Sequence, residues 1–180
     1  MTDYSVTIPT IETERLILRG WKEADVDPYF EMYGDEHNAR FVGGHFTRRD
    51  QAWRRVAEYV GQWQMRGYAM FAVEEKASGE FVDCCGPHFP DGWPEPEIGW
   101  GLRISFQGKG YATEAAMASL IYAYTELGLT TAMSLIDPLN TSSAMVAMRL
   151  GAKYETNKEV TGFTADVYRH RPSADVLAGA

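Results

Sequence analysis

The feature that most constrains this chain is a glycine-rich turn placed directly before its most apolar helix. Gln107-Gly108-Lys109-Gly110-Tyr111-Ala112 leads into a segment, Gly110–Leu127, that is apolar nearly all round. A helix without a polar face is buried on most sides, so this one is expected to lie against a sheet. Small residues in the turn let the backbone come close to a ligand. The first helical turn contributes unpaired N–H groups and the positive end of the helix dipole. Together these make an anion site suited to a pyrophosphate, with Lys109 adding a cation on the solvent side. A ligand-free strand-to-helix turn has the same sequence, so the motif alone leaves that reading open. A dinucleotide site also stays open, because G-x-G opens a helix and Asp137 ends the next strand. Against it, Thr113 stands at the third glycine position, one β-α-β unit is visible, and Asp137 belongs to an Asp-Pro turn. A P-loop is excluded, since G-x-x-x-x-G-K-[ST] is absent.

The elements around this turn follow from periodicity and punctuation. A strand is expected over Thr13–Trp21 and a short helix over Ala24–Tyr33. A second helix starts at a Thr47 cap with Asp50 three residues on, buries Trp53, Val56, Val60 and Trp63, and stops at Gly67. Strands Tyr68–Glu74 and Glu80–His88 form a hairpin, and the proline-rich loop Phe89–Pro96 leads to strand Glu97–Leu102. After the apolar helix come strand Thr130–Ile136, helix Asn140–Leu150 capped by Asn140 and ended by Gly151, and strands Ala152–Lys158 and Thr164–His170. The tail Pro172–Ala180 is expected to fray. The order β-α-α-β-β-β-α-β-α-β-β indicates an α/β or α+β domain with a mixed sheet.

With 180 residues, one domain over 1–180 is expected. The formal net charge of −8 argues against a duplex nucleic-acid partner and, more weakly, against an anionic membrane surface. It is compatible with cationic substrates such as amines. Ala115–Tyr124, the longest dense apolar stretch, is about half the ~20 residues of a membrane-spanning helix. Met1–Thr10 has an early Asp3 and no apolar core, so it reads as no signal peptide. Cys84 and Cys85 are adjacent and point to opposite faces of a strand, a poor geometry for a mutual disulfide. No metal-ligand spacing is present. A cytoplasmic protein is expected.

The loop Gln107–Ala112 resembles the Q/R-x-x-G-x-G/A loop of the Gcn5-related N-acetyltransferase (GNAT) superfamily. Glu97-Ile98-Gly99-Trp100 through Ala115 is similar to the strand-loop-helix of the branch containing the ribosomal-protein N-terminal (alanine/serine) acetyltransferases. Thr13-Glu14-Arg15-Leu16-Ile17-Leu18-Arg19 resembles that branch's opening strand, and Asn140–Ser143 with Val146 and Arg149–Ala152 its second motif. The resemblance implies a GNAT-like acyl-CoA N-acyltransferase fold, with a central, mostly antiparallel sheet flanked by helices. It implies acetyl-CoA as cosubstrate, no metal, and a primary amine as acceptor, either a small molecule or a protein N-terminus. Direct transfer in a ternary complex by a monomer or homodimer is the expected mode.

On that resemblance, the backbone of Gln107, Gly108, Lys109, Gly110, Tyr111 and Ala112 holds the pyrophosphate of coenzyme A. Leu102, Arg103 and Ile104 hold the pantetheine arm, and Asn140 reaches its amides. An alkylammonium with a pKa near ~10 must lose a proton before it attacks. Glu97 is the first candidate base and His88 the second. Ser143 is the one hydroxyl nominated as acid to the thiolate, which at a pKa near ~8.5 also leaves unaided. His88, Trp93 and Trp100 are candidate acceptor contacts, with Phe41 and Phe46 as further aromatics. Gly99 is a candidate bulge that splays its strand from the next. Three departures stand out: Gly101 where such proteins often carry an aromatic, Ile104 where many have Pro, and Ala147 where some have Tyr. A non-catalytic acyl-CoA-binding module and an NAD(P)-dependent reductase are the alternative readings.

Overall fold

The computed structural model describes residues 6–41 and 43–178. The first five residues of the Met1–Thr10 segment and the last two of the tail lie outside it. The strands are β1 (Ile11–Glu12), β2 (Leu16–Arg19), β3 (Phe71–Glu75), β4 (Phe81–His88), β5 (Glu97–Trp100), β6 (Met133–Ile136), β7 (Lys153–Val160) and β8 (Phe163–Arg169). The helices are α1 (Val26–Gly34), α2 (Glu36–Ala39), α3 (Arg49–Arg66), α4 (Tyr111–Thr125), α5 (Thr141–Arg149) and α6 (Ser173–Leu177). One sheet runs β1-β2-β3-β4-β5-β6-β8-β7. Every neighbouring pair is antiparallel except β5–β6, which the crossover through α4 makes parallel.

Adjacent residues of β4 show how the two faces are covered. Cys84 borders a cavity together with Tyr33 of α1 and Tyr59 of α3. Cys85 points the other way and meets Ser119 of α4 at 3.5 Å. So α1 and α3 cover one face and α4 the other, and both thiols are free and buried. An aromatic cluster fills the first face, with Trp21 stacked on Tyr59 and Tyr29 packed against Tyr33 and Phe46. Phe46 is thus core.

Several expectations shift. The opening strand is shorter than Thr13–Trp21, and a separate two-residue strand, β1, precedes it. Helix α3 starts later than a Thr47 cap requires. Gln51 Oε1 accepts from the Thr47 and Arg48 N–H groups, while Asp50 pairs with Arg48 and Arg54. Its buried stripe is Ala52, Val56, Tyr59 and Trp63, whereas Trp53 and Val60 are 47% and 42% exposed. Tyr59 takes the inward place because the opposite wall is aromatic. The tail is helical over Ser173–Leu177, anchored by buried Val176. Asn140 caps α5 as expected, its Oδ1 accepting from Ser143 N–H at 3.1 Å.

Candidate active site

The site begins at a fork in the sheet. β5 and β6 pair at one position, Glu97 opposite Met133. Beyond it β5 stays with β4 and β6 with β8. Gly99 pairs in regular register with Gly86, so the opening comes from lost β5–β6 pairing and not from a bulge. Ser134 bridges the fork. Its hydroxyl donates to the Ile98 carbonyl at 2.6 Å and lies 2.9 Å from His170 Nε2. That hydrogen is committed to a carbonyl, so Nε2 is the ring nitrogen that carries the proton. Burial pushes the His170 imidazole down to about 4 and keeps it neutral.

Two cavities follow the fork. The first, about 410 Å³, is lined by Glu97–Gly101, by Asn140 and Ser143, and by side chains from distant segments, among them Tyr33, Phe41, Arg55, Tyr59, His88, Trp93 and Phe163. The second, about 610 Å³, is lined by Leu102, Gly108, Gly110–Glu114, Met117, Val146 and Arg149. The chain of β5 runs out of the first cavity at Gly101 and into the second at Leu102. On α5, Asn140 and Ser143 face the first cavity, and Val146 and Arg149 the second. Each lies three residues from the next, so the four form a row that winds round the helix and passes from one cavity to the other. The two cavities are therefore consecutive stretches of one cleft between β5 and α5.

The second cavity is the glycine-loop groove. Gly108 and Gly110 have φ of +75° and +84°, the left-handed region that a side chain resists. Gly110 is the N-cap of α4, and Tyr111 and Ala112 form its first turn at the groove wall. Gln107 Nε2 donates to the Leu102 carbonyl at 3.0 Å and closes the loop onto the end of β5. Lys109 Nζ lies 5.0 Å over the Phe106 ring. Of the three expected pantetheine contacts, Leu102 lines the groove. Arg103 is turned away: its N–H donates to Val82 O and its guanidinium to Phe81 O at 3.0 Å. Ile104 sits in a 3-10 turn and is 53% exposed. Asn140 borders the first cavity rather than this groove.

The first cavity holds Glu97 and His88. Glu97 is buried, and one carboxylate oxygen accepts from Leu135 N–H at 3.2 Å. Burial pushes its carboxyl up to about 7, while Leu135 N–H and the nearby Trp93 indole pull the other way. Trp93 Nε1 itself is buried without a partner at hydrogen-bond geometry among the described residues. His88 pairs with Glu97 across β4–β5, and its ring meets Tyr59 and Trp93 edge-on at 5.7 Å. Burial, then the Arg55 charge, push its imidazole down to about 4. Trp100 lines the same cavity.

Two of the departures now have causes. Asp83 is fully buried, neither oxygen has a partner among the described residues, and burial pushes it up to about 8. A Cβ at position 101 would lie 2.1 Å from Asp83 Oδ2, so the aromatic is replaced by glycine. Ala147 is fully buried in a cluster with Ile136 and Ala152, against which Trp100 packs. Sequence reasoning missed Asp83, Ser134, His170, Tyr59 and Arg55, which no local motif marks.

The model of the acetyltransferase (GNAT) domain matches residues 15–153, and the chain belongs to this family. It is 31% identical to YkkB of Bacillus subtilis over 150 residues, 79% of this chain and 84% of that protein. The crystal structure of an acetyltransferase from Agrobacterium tumefaciens superposes with a TM-score of 0.84 at 30% identity, covering 95% of this chain and 99% of that one. The ribosomal L7/L12 α-N-protein acetyltransferase RimL, in complex with coenzyme A, shares the fold at a TM-score of 0.76 and 18% identity, covering 93% and 100%. Among the described residues, no group of three or more His, Cys, Asp or Glu is placed to hold a metal ion. No helix among them is long and apolar enough to cross a membrane.

Proposed function

We propose that the protein transfers an acetyl group from acetyl-CoA to a primary amine, directly and within a ternary complex. The observation that carries this reading is the continuous cleft: a glycine-loop groove and an aromatic cavity meet along β5 and α5, with buried Glu97 at the fork. The left-handed glycines and the head of α4 offer N–H groups to a pyrophosphate, and Arg149 adds charge at the groove. Leu102 and Val146 line its apolar part, suited to a pantetheine arm. The acceptor then occupies the first cavity.

Glu97 acts as the general base. With its carboxyl at about 7, it is partly ionised at neutral pH and matched to proton transfer there. Taking a proton from an ammonium of pKa ~10 costs about 4 kcal/mol, which the enzyme offsets by holding the amine beside the carboxylate. His88, at about 4, is neutral and the weaker base, so it contacts the acceptor rather than deprotonating it. Ser143 borders the same cavity, which supports it as the hydroxyl that stabilises the departing thiolate.

A thermal-shift titration with acetyl-CoA, CoA and NADPH tests the donor. A ligand at 100 times its dissociation constant stabilises by ~2.7 kcal/mol. Stabilisation by the two CoA species alone is expected. Stabilisation by NADPH alone would replace this reading with a reductase.

A further inference from the structure

The opening strand and the glycine loop, far apart in sequence, are tied by one dense set of hydrogen bonds. Thr13 Oγ1 and Arg15 N–H donate to Glu114 Oε1 at 2.6 and 2.8 Å. Arg15 Nε and NH2 reach Glu114 Oε2 at 2.7 and 2.6 Å. Arg15 NH1 donates to the Lys109 carbonyl at 2.8 Å. The guanidinium also lies 4.5 Å over the Tyr111 ring. Every nitrogen of the guanidinium is thus engaged with the protein.

The Lys109–Gly110 peptide is trans, so its C=O and N–H point in opposite directions. A carbonyl held by Arg15 therefore turns the Gly110 N–H away from the guanidinium. Gly110 is the left-handed cap of α4 and borders the groove. Glu114, in the first turn of α4, also borders the groove. Its charge is neutralised by Arg15, so it does not repel an anion there.

We infer that Arg15, anchored by Glu114 and Thr13, is a positioning residue: it holds the Lys109–Gly110 peptide so that the loop presents its N–H groups to the pyrophosphate of the acetyl donor. The inference rests on reading the groove as the coenzyme A site. It differs from a direct contact: three of the five guanidinium N–H donors are committed, two to Glu114 and one to the Lys109 carbonyl, and Arg15 is not among the residues that line the groove.

The test is calorimetric titration of wild type, Arg15→Ala and Arg15→Lys with CoA and with pantetheine, which lacks the pyrophosphate. If the released loop keeps its binding geometry about a tenth of the time, the apparent Kd for CoA rises about tenfold. The Kd for pantetheine stays within about twofold on the same argument, since the loop does not touch it. Arg15→Lys keeps the charge but cannot bridge Glu114 and Lys109 together, so it shows a smaller loss of the same selectivity. The loss in Arg15→Ala persists in a Glu114→Gln background. Equal loss for both ligands, unchanged CoA affinity in Arg15→Ala, or recovery in the Glu114→Gln background would each overturn the inference. Wild-type protein that binds no CoA would instead remove the reading of the groove.

Discussion

The two halves of the cleft are built by different means. The glycine-loop groove is organised around backbone, with two left-handed glycines, a helix start and the strand end closed by Gln107, and Leu102, Val146 and Arg149 line it beside them. The cavity at the fork, where the proposed function seats the acceptor, is lined by side chains gathered from α1, α3, β4, the loop before β5, α5 and β8. Backbone recognition fixes one anion whatever surrounds it. Side-chain recognition is free to vary, so on the proposed function acceptor choice resides in the cavity and donor choice in the loop.

The largest expected effect separates the halves by function. Glu97→Gln lowers kcat by about 10²–10⁴-fold while leaving the CoA dissociation constant unchanged, as read by thiol release and calorimetry. In wild type, kcat/KM rises with pH through about 7 as Glu97 ionises. An equal loss of CoA affinity would merge the halves that the comparison separates.

Gly110→Ala attacks the donor half. At φ +84° a Cβ is strained, and CoA affinity is expected to fall by about tenfold while the acceptor KM is kept.

Asp83 and Glu97 make the stability of the fold sensitive to pH. Their carboxyls are raised to about 8 and about 7 in the fold, whereas the unfolded chain loses those protons near pH 4. Stability therefore falls as pH rises until each folded pKa is passed. His88 and His170, both held near 4, act in the opposite direction only below about 6.5. Between pH 6.5 and 8, Asp83 alone costs about 2 kcal/mol, or about 4–8 °C in Tm. Asp83→Asn is expected to flatten that slope in a melting series. An unchanged slope would place the sensitivity elsewhere.

Ser143→Ala is the smallest change. A thiolate leaves largely unaided, so turnover stays within about threefold. A larger loss would make Ser143 an obligatory acid.

The same contrast explains what was legible in the sequence. The loop is contiguous, and its glycines signal their own conformation. His88, Trp93 and Trp100, expected as acceptor contacts, and Ser143, expected as an acid to the thiolate, all line one cavity. Arg103 was not foreseen to turn back onto β4, since a strand end does not reveal which groups its neighbour leaves free. The buried face of α3 was misread because apolar spacing favours Trp53 and Val60 over the amphipathic Tyr59, and only the opposing aromatic wall decides between them. The Arg15–Glu114 tie joins residues 99 positions apart and has no local signature.

The most direct test of the central claim is thiol release from acetyl-CoA across a panel of primary amines, with wild type and Glu97→Gln side by side. Saturable release is expected with at least one amine, lost in Glu97→Gln although CoA still stabilises both proteins. CoA stabilisation with no amine-dependent release, or release that survives Glu97→Gln at full rate, would contradict it.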